Sequence, residues 1–154
     1  MNQDFKEFFA LLNARRVDFL VIGGVAYNFY APPRSTKDID LWIRPTVENA
    51  KTFLTALSDF GFDHDLNSNE FVERDNVLML GRPPYRIDVL TRPKGLIWEA
   101  CWTRRVVSDY AGEPIAFLSL EDLIASKMAA GRDQDLVDAR KLRAVSERTG
   151  PKRQ

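Results

Sequence analysis

The chain has 154 residues, enough for one domain with a sizeable core, and its 45% apolar and 29% charged residues are those of a soluble globular protein. Twenty-two basic residues balance 22 acidic ones, which excludes bulk affinity for nucleic acid or membrane surfaces and leaves only local contacts. The one cysteine, Cys101, excludes an internal disulfide, the one histidine, His64, excludes a His-rich metal site, and no apolar run reaches the ~18 residues of a membrane span. The start, Met1-Asn2-Gln3-Asp4, has no signal-peptide pattern, so the expected location is cytoplasmic.

In chain order, Phe5, Phe8, Phe9 and Leu12 recur at helical spacing and predict a helix over residues 3–15. Residues 17–22 read as a buried strand that stops at Gly23-Gly24. Val25 to Ala31 reads as a short helix ended by Pro32-Pro33. The next strand is 37–43. A helix from Pro45-Thr46 to Phe60 follows, with Thr46 as N-cap and Gly61 as C-cap. Asp63 to Glu70 reads as a loop, and 71–80 and 85–91 as two strands joined at Gly81-Arg82-Pro83-Pro84. A short helix over 95–103 carries Trp98 and Trp102, and 104–110 and 114–118 form a hairpin across Ala111-Gly112-Glu113. Ser119 with Asp122 has the form of a capping box opening a helix to Ala130, and a last helix spans Gln134 to Glu147. The expectation is one α/β (α+β) domain over residues 1–148, a mixed sheet with flanking helices and a C-terminal helical pair, followed by a flexible tail over 149–154.

Three acids stand out. Asp38 and Asp40 lie two apart in an apolar strand, so they share one face while Ile39 and Leu41 point to the core. Asp88 interrupts a third apolar run, Arg86-Ile87-Asp88-Val89-Leu90. Adjacent carboxylates on a core strand repel one another unless neutralised. Mg²⁺ with nucleotide phosphates in its remaining coordination sites is the usual solution. Gly23 and Gly24, between strand and helix, allow close backbone approach, so that N–H groups and the helix N-terminus could hold phosphates.

These residues resemble the nucleotidyltransferase fold superfamily, which includes DNA polymerase β-like enzymes and minimal nucleotidyltransferases, and within it the AbiEii-type toxin group. The resemblance rests on Gly23-Gly24-Val25-Ala26, on Arg34-Ser35-Thr36-Lys37-Asp38-Ile39-Asp40-Leu41 and on Asp88. It also rests on the run from Ser119 to Arg132, with Asp135 and Asp138 beyond, and covers residues 15–145. It implies a nucleotidyltransferase-like domain that moves a nucleoside monophosphate from an NTP donor to an acceptor. Asp38, Asp40 and Asp88 would hold two Mg²⁺ (or Mn²⁺) ions, and Asp88 would help deprotonate the acceptor hydroxyl. Gly23, Gly24, Arg34, Ser35, Thr36 and Lys127 would contact the nucleotide. The acceptor would be RNA, such as a tRNA 3′ end, or a protein hydroxyl, with a toxin or antitoxin partner protein. Many superfamily members have Gly-Ser where this chain has Gly23-Gly24, and no large acceptor-binding domain follows. The acceptor is then small, or a partner supplies recognition, or the domain is a non-catalytic binding module.

Plainer readings stand beside these. Asp38 and Asp40 could be solvated acids at a strand edge, although Ile39, Leu41 and Ile43 demand burial of one face. Asp88 could simply pair with Arg86. Arg34 to Lys37 could be a solvated turn, and Lys127 could salt-bridge a core-edge acid. Arg132, Asp135 and Asp138 read best as an ion-pair network positioning the last helix. Among the aromatics, Tyr27 and Tyr30 follow the glycines and are the best candidates for base stacking. A lone D-x-D also occurs in sugar-nucleotide transferases, which need neither the glycine pair nor Asp88.

Overall fold

The computed structural model describes residues 3–36, 38–75, 77–82 and 85–149. Helix α1 (Gln3–Ala14) leads into β1 (Phe19–Ile22), α2 (Gly23–Tyr30), β2 (Asp38–Ile43) and α3 (Val47–Phe60). Next come α4 (Ser68–Val72), β3 (Leu78–Arg82), β4 (Tyr85–Leu90) and α5 (Trp98–Thr103). The chain closes with the hairpin β5 (Val106–Tyr110) and β6 (Glu113–Phe117), then α6 (Leu120–Ala130) and α7 (Asp133–Thr149).

The strands form one mixed sheet in the order β3-β4-β2-β1-β6-β5. Strand β1 runs antiparallel to β2 with Ile22 opposite Asp40, while β4 runs parallel to β2 on its other side. Opposite partners share a face, so Phe19, Val21, Ile39, Leu41 and Ile43 lie on one side of the sheet. That side meets α1: Phe9 stacks on Phe19 at 5.8 Å between ring centroids, and Phe8 packs against Phe60 at the end of α3. Leu20, Ile22, Asp40 and Trp42 take the other side. Helix α2 contacts β1 and β2 and also touches α6 and α7, which pack on each other. The far end of this acid-bearing face is closed by Trp42, which stands edge-on to Trp98 of α5 and donates its indole N–H to the Thr91 carbonyl at 3.0 Å.

The caps read from the sequence are present. Thr46 accepts from the Asn49 amide, Ser119 accepts from the Asp122 amide, and Gly61 ends α3 in the left-handed region. Residues 71–80 are not one strand: Phe71 and Val72 close the short helix α4, and β3 begins at Leu78. Asn67 caps that helix, its side chain accepting from the Glu70 amide, and Phe71 packs on Phe53 at 5.8 Å. Helix packing, not strand pairing, therefore buries the apolar pair. Helix α2 starts at Gly23 itself, and α5 is shorter than expected. Lys37, Asn76, Pro83, Pro84 and the tail from residue 150 lie outside the described residues.

Candidate active site

The parallel register of β2 and β4 places Asp40 beside Asp88 and Asp38 beside Arg86. Three carboxylates that are 50 residues apart in sequence at the widest thus meet at one sheet end. Between them stands Arg86. Its guanidinium donates to both oxygens of Asp88, at 2.9 and 3.1 Å, and lies 3.1 Å from Asp38. The plain reading of Asp88 as Arg86's partner is therefore correct, and it coexists with placement in the cleft.

Opposite the acids lies the start of α2. Ile22 precedes it with no side-chain cap, so the first-turn N–H groups are left to other acceptors, and Gly24 N–H donates to the Asp40 carboxylate. Gly23 has φ +68°, and a Cβ there would lie 2.7 Å from Asp40 Cγ and closer still to Oδ2. A Cβ on Gly24 would meet Thr36 Oγ1 at 2.8 Å. The glycine pair is thus required twice, by backbone conformation at Gly23 and by close approach of the acid strand. Gly23→Ala should cost roughly 1–3 kcal/mol and displace Asp40. A thermal melt together with NTP titration checks this: an alanine variant of wild-type stability would mean the turn relaxes freely.

A buried ion cluster forms the far wall. Asp138 is 0% exposed and is met by Lys127 at 2.9 Å, Arg34 at 2.7 Å and the Gln134 amide at 2.8 Å. Asp135, 3% exposed, accepts from Arg132 at 2.6 Å and lies 3.8 Å from Lys127. The whole arrangement encloses a cleft of about 520 Å³, lined among others by Gly23, Gly24, Arg34, Thr36, the three aspartates, Lys127 and Arg132.

The electrostatics are uneven. Burial pushes the Asp40 carboxyl up to about 6, and the neighbouring charges of Asp88 and Asp38 add to this, while Lys127 and the Gly24 amide pull it back. Burial alone would also raise Asp135, but hydrogen bonds and charge from Arg132 hold it below the usual carboxylate range. The ionised form of Asp40 is thus disfavoured here, chiefly by burial and then by the two neighbouring carboxylates. An all-oxygen donor set with a surplus of carboxylate charge fits a hard divalent cation such as Mg²⁺. Among the described residues, no three acidic, histidine or cysteine side chains are already arranged around one ion position. Arg86 holds Asp38 and Asp88 instead.

Most of the residues read from the sequence line the cleft: Asp38, Asp40, Asp88, Gly23, Gly24, Arg34, Thr36 and Lys127. Ser35 is exposed and lies outside that lining. Lys127 pairs with acids as its plain reading expects, and Arg132, Asp135 and Asp138 are the expected network. The two tyrosines are structural. Tyr27 is buried beneath the Arg34 guanidinium, 4.9 Å from its ring, and Tyr30 donates to the Leu118 carbonyl at 2.7 Å. Sequence reading missed Lys94 and Gln134, both in the lining. Lys94 sits just past the Asp88 strand, which is a readable signal; Gln134 has none, because its place depends on how α7 docks.

In fold, the chain is similar to solved structures of nucleotidyltransferases and a nucleotidyltransferase-like protein. The chain is similar to the lincosamide antibiotic adenylyltransferase LnuA in its lincomycin-bound form, at 14% identity and TM-score 0.62, over 94% of this chain and 98% of that one. It is similar to an antigenic nucleotidyltransferase-like protein from Paracoccidioides brasiliensis, at 18% identity and TM-score 0.58, over 94% of this chain and 74% of that one. The antibiotic-resistance factor ANT(2'')-Ia aligns at 15% identity and TM-score 0.60, over 96% of this chain and 83% of that one. No protein-family model and no curated protein matches the sequence. Among the described residues, no helix is long and apolar enough to cross a membrane.

Proposed function

We propose that this protein is a metal-dependent nucleotidyltransferase that moves a nucleoside monophosphate from an NTP to a hydroxyl acceptor and releases pyrophosphate. The observation that carries the reading is the register that sets Asp40 beside Asp88, with Asp38 on the same face, across the cleft from the Gly23-Gly24 turn. In the reaction, the acceptor oxygen forms a bond to the α-phosphorus as the bond to the bridging β-oxygen breaks. Asp38, Asp40 and Asp88 would hold Mg²⁺ or Mn²⁺, which would neutralise charge on the entering and leaving oxygens. The chain's own residues do the rest. Gly23 and Gly24 let the triphosphate approach backbone N–H groups, with Thr36 beside them. Arg34, Lys127 and Arg132 supply positive charge along one wall, and Asp88 is the candidate acceptor of the hydroxyl proton.

The acceptor hydroxyl belongs to RNA or protein in the AbiEii-like, toxin–antitoxin reading of the sequence. It belongs to a small molecule if the chain works as LnuA does on its lincosamide antibiotic. A second reading, a nucleotide-binding or interaction module without catalysis, is favoured by Arg86, which already bridges Asp38 and Asp88.

The test incubates protein with each α-³²P-labelled NTP and Mg²⁺ or Mn²⁺, and offers total RNA, lysate protein and a small-molecule extract in parallel. Label should move into one of these pools with wild type and not with Asp38→Asn or Asp40→Asn. Transfer retained by both variants would sink the assignment. NTP binding without pyrophosphate release would transfer the weight to the non-catalytic module.

A further inference from the structure

Strand β5 ends the sheet on the side away from the cleft acids, with β6 as its one strand neighbour. Its hairpin turn has two residues, Ala111 at φ +53° and Gly112 at φ +92°, between the closing pair Tyr110 and Glu113. In such a hairpin the closing pair exchanges both backbone hydrogen bonds, and every second pair after it does the same. Tyr110, Ser108 and Val106 therefore turn their N–H and C=O groups to β6. Val107 and Asp109 turn theirs outward, in keeping with Pro114, which stands opposite Asp109 and has no N–H to give. Among the described residues, no backbone group beyond the sheet meets those outward N–H groups. Val107 is 60% exposed and Val106 37%. Two exposed β-branched residues on an open edge are a template for another strand.

The charges on this edge select the strand that fits it. We infer that β5 pairs antiparallel with β5 of a second copy of this chain, about a two-fold axis through Val107. Alternation puts Arg105, Val107 and Asp109 on one face, and this axis sets each Arg105 opposite the second copy's Asp109. Other registers fail on charge. An axis at Arg105 or Asp109 brings like charges together, and one at Val106 or Ser108 sets a charge against a valine. Both charged side chains are already held at the edge with capacity to spare. The Arg105 guanidinium lies 3.9 Å from the Trp102 ring centroid and gives one N–H to the Trp102 carbonyl at 2.8 Å, out of the five that a guanidinium carries. Asp109 accepts from the Gly112 N–H with Oδ2 at 3.0 Å, which leaves Oδ1 for a partner. The Arg105 backbone N–H already serves the Trp102 carbonyl. The new ladder is then two bonds between the Val107 residues and one from each Asp109 N–H to the second copy's Arg105 carbonyl. One sheet would run through both copies. So short a contact lies at the small end of specific interfaces, which corresponds to a dissociation constant of roughly 10–100 µM.

The experiment is sedimentation velocity on the full chain over a concentration series that brackets this range. Wild type should pass from monomer to dimer. Arg105→Glu and Asp109→Lys should each weaken the dimer at least about tenfold, because each sets two like-charged pairs across the axis. The double variant Arg105→Glu with Asp109→Lys reverses both members and should return to within about threefold of wild type. That rescue separates pairing across the axis from the structural roles of the two side chains within one copy, which the double variant loses as well. Thermal melts of each dilute monomer show whether a variant folds. If a charge variant melts early, Val107→Lys serves in its place: it is an exposed position whose two ammonium groups would face each other, and it should abolish the dimer. A wild-type monomer at every concentration, a dimer indifferent to the reversals and to Val107→Lys, or a double variant as weak as the singles would each overturn the inference. So would growth beyond the dimer, since two-fold pairing uses up the edge. The readout involves neither nucleotide nor metal, so the transferase reading stands or falls apart from it.

Discussion

Asp40→Asn is expected to be more stable than wild type at pH 8 in the absence of divalent cation, and at the same time inactive. The stability gain follows from linkage. The Asp40 carboxyl is pushed up to about 6 in the fold, first by burial and then by Asp88 and Asp38, against an ordinary value of 3.8 in the unfolded chain. The folded protein therefore holds this proton more tightly. Below pH ~4 both states are protonated and the group costs nothing; as pH rises from about 4 to 6, wild-type stability falls, and above that the full penalty is present. Two units would correspond to almost 3 kcal/mol, and partial solvent exposure brings the expected figure to about 2 kcal/mol, or several degrees of melting temperature. Asparagine has no such titration and keeps an oxygen for the Gly24 amide. The melting difference between variant and wild type should thus open between pH 4 and 6 and stay constant at higher pH. Mg²⁺ should narrow it by stabilising only wild type. Activity should move the other way, with a loss of about 10³-fold or more, because in the proposed function the Asp40 charge would hold the cation. A melting difference independent of pH, or an active variant, would refute this account of Asp40.

Much of this was readable in local sequence because the face assignment needs only alternation. Ile39, Leu41 and Ile43 on one side of β2 force Asp38 and Asp40 to the other, whatever the strand pairs with. The caps at Thr46 and Ser119 are equally local, since each is a hydroxyl reaching an amide three residues on. What local reasoning could not supply was the convergence of Asp88 with Asp40. That depends on β4 running parallel to β2, a pairing across a long connection whose register appears in neither strand alone. The misread stretch is instructive in the opposite sense. Phe71 and Val72 look like the start of a strand, yet Asn67 and Glu70 just before them are a legible helix start that apolar character outweighed. Arg86 was legible as a partner of Asp88 two residues away on one strand face. Its reach across to Asp38 came only with the sheet.

The largest stability change is expected not at the acids beside the glycines but behind them, at Asp138. This carboxylate is fully buried and compensates Lys127, which is only 8% exposed. Asp138→Ala would leave that ammonium paired with Asp135 at 3.8 Å, and Asp135 is already engaged by Arg132 at 2.6 Å. Arg34 is 38% exposed in its side chain and can turn to water, whereas the Lys127 side chain is only 10% exposed. Breaking such a pair from one side costs about 3–5 kcal/mol, a large part of the ~5–15 kcal/mol that holds a domain together. Urea unfolding should show the midpoint falling accordingly with little change in slope. Replacing both members, as in Lys127→Met with Asp138→Asn, should recover most of that loss, since the buried ammonium is removed together with its carboxylate. The recovered double variant should still bind NTP poorly, because Lys127 lines the cleft and is one of the charges that offset Asp40. Stability restored together with full nucleotide affinity would show that Lys127 is purely structural. A double variant as unstable as Asp138→Ala would show that packing, and not the buried charge, dominates at this position. The cluster thus couples the last two helices to the acid strand: the same lysine that needs Asp138 to stay buried is the one whose charge reaches Asp40.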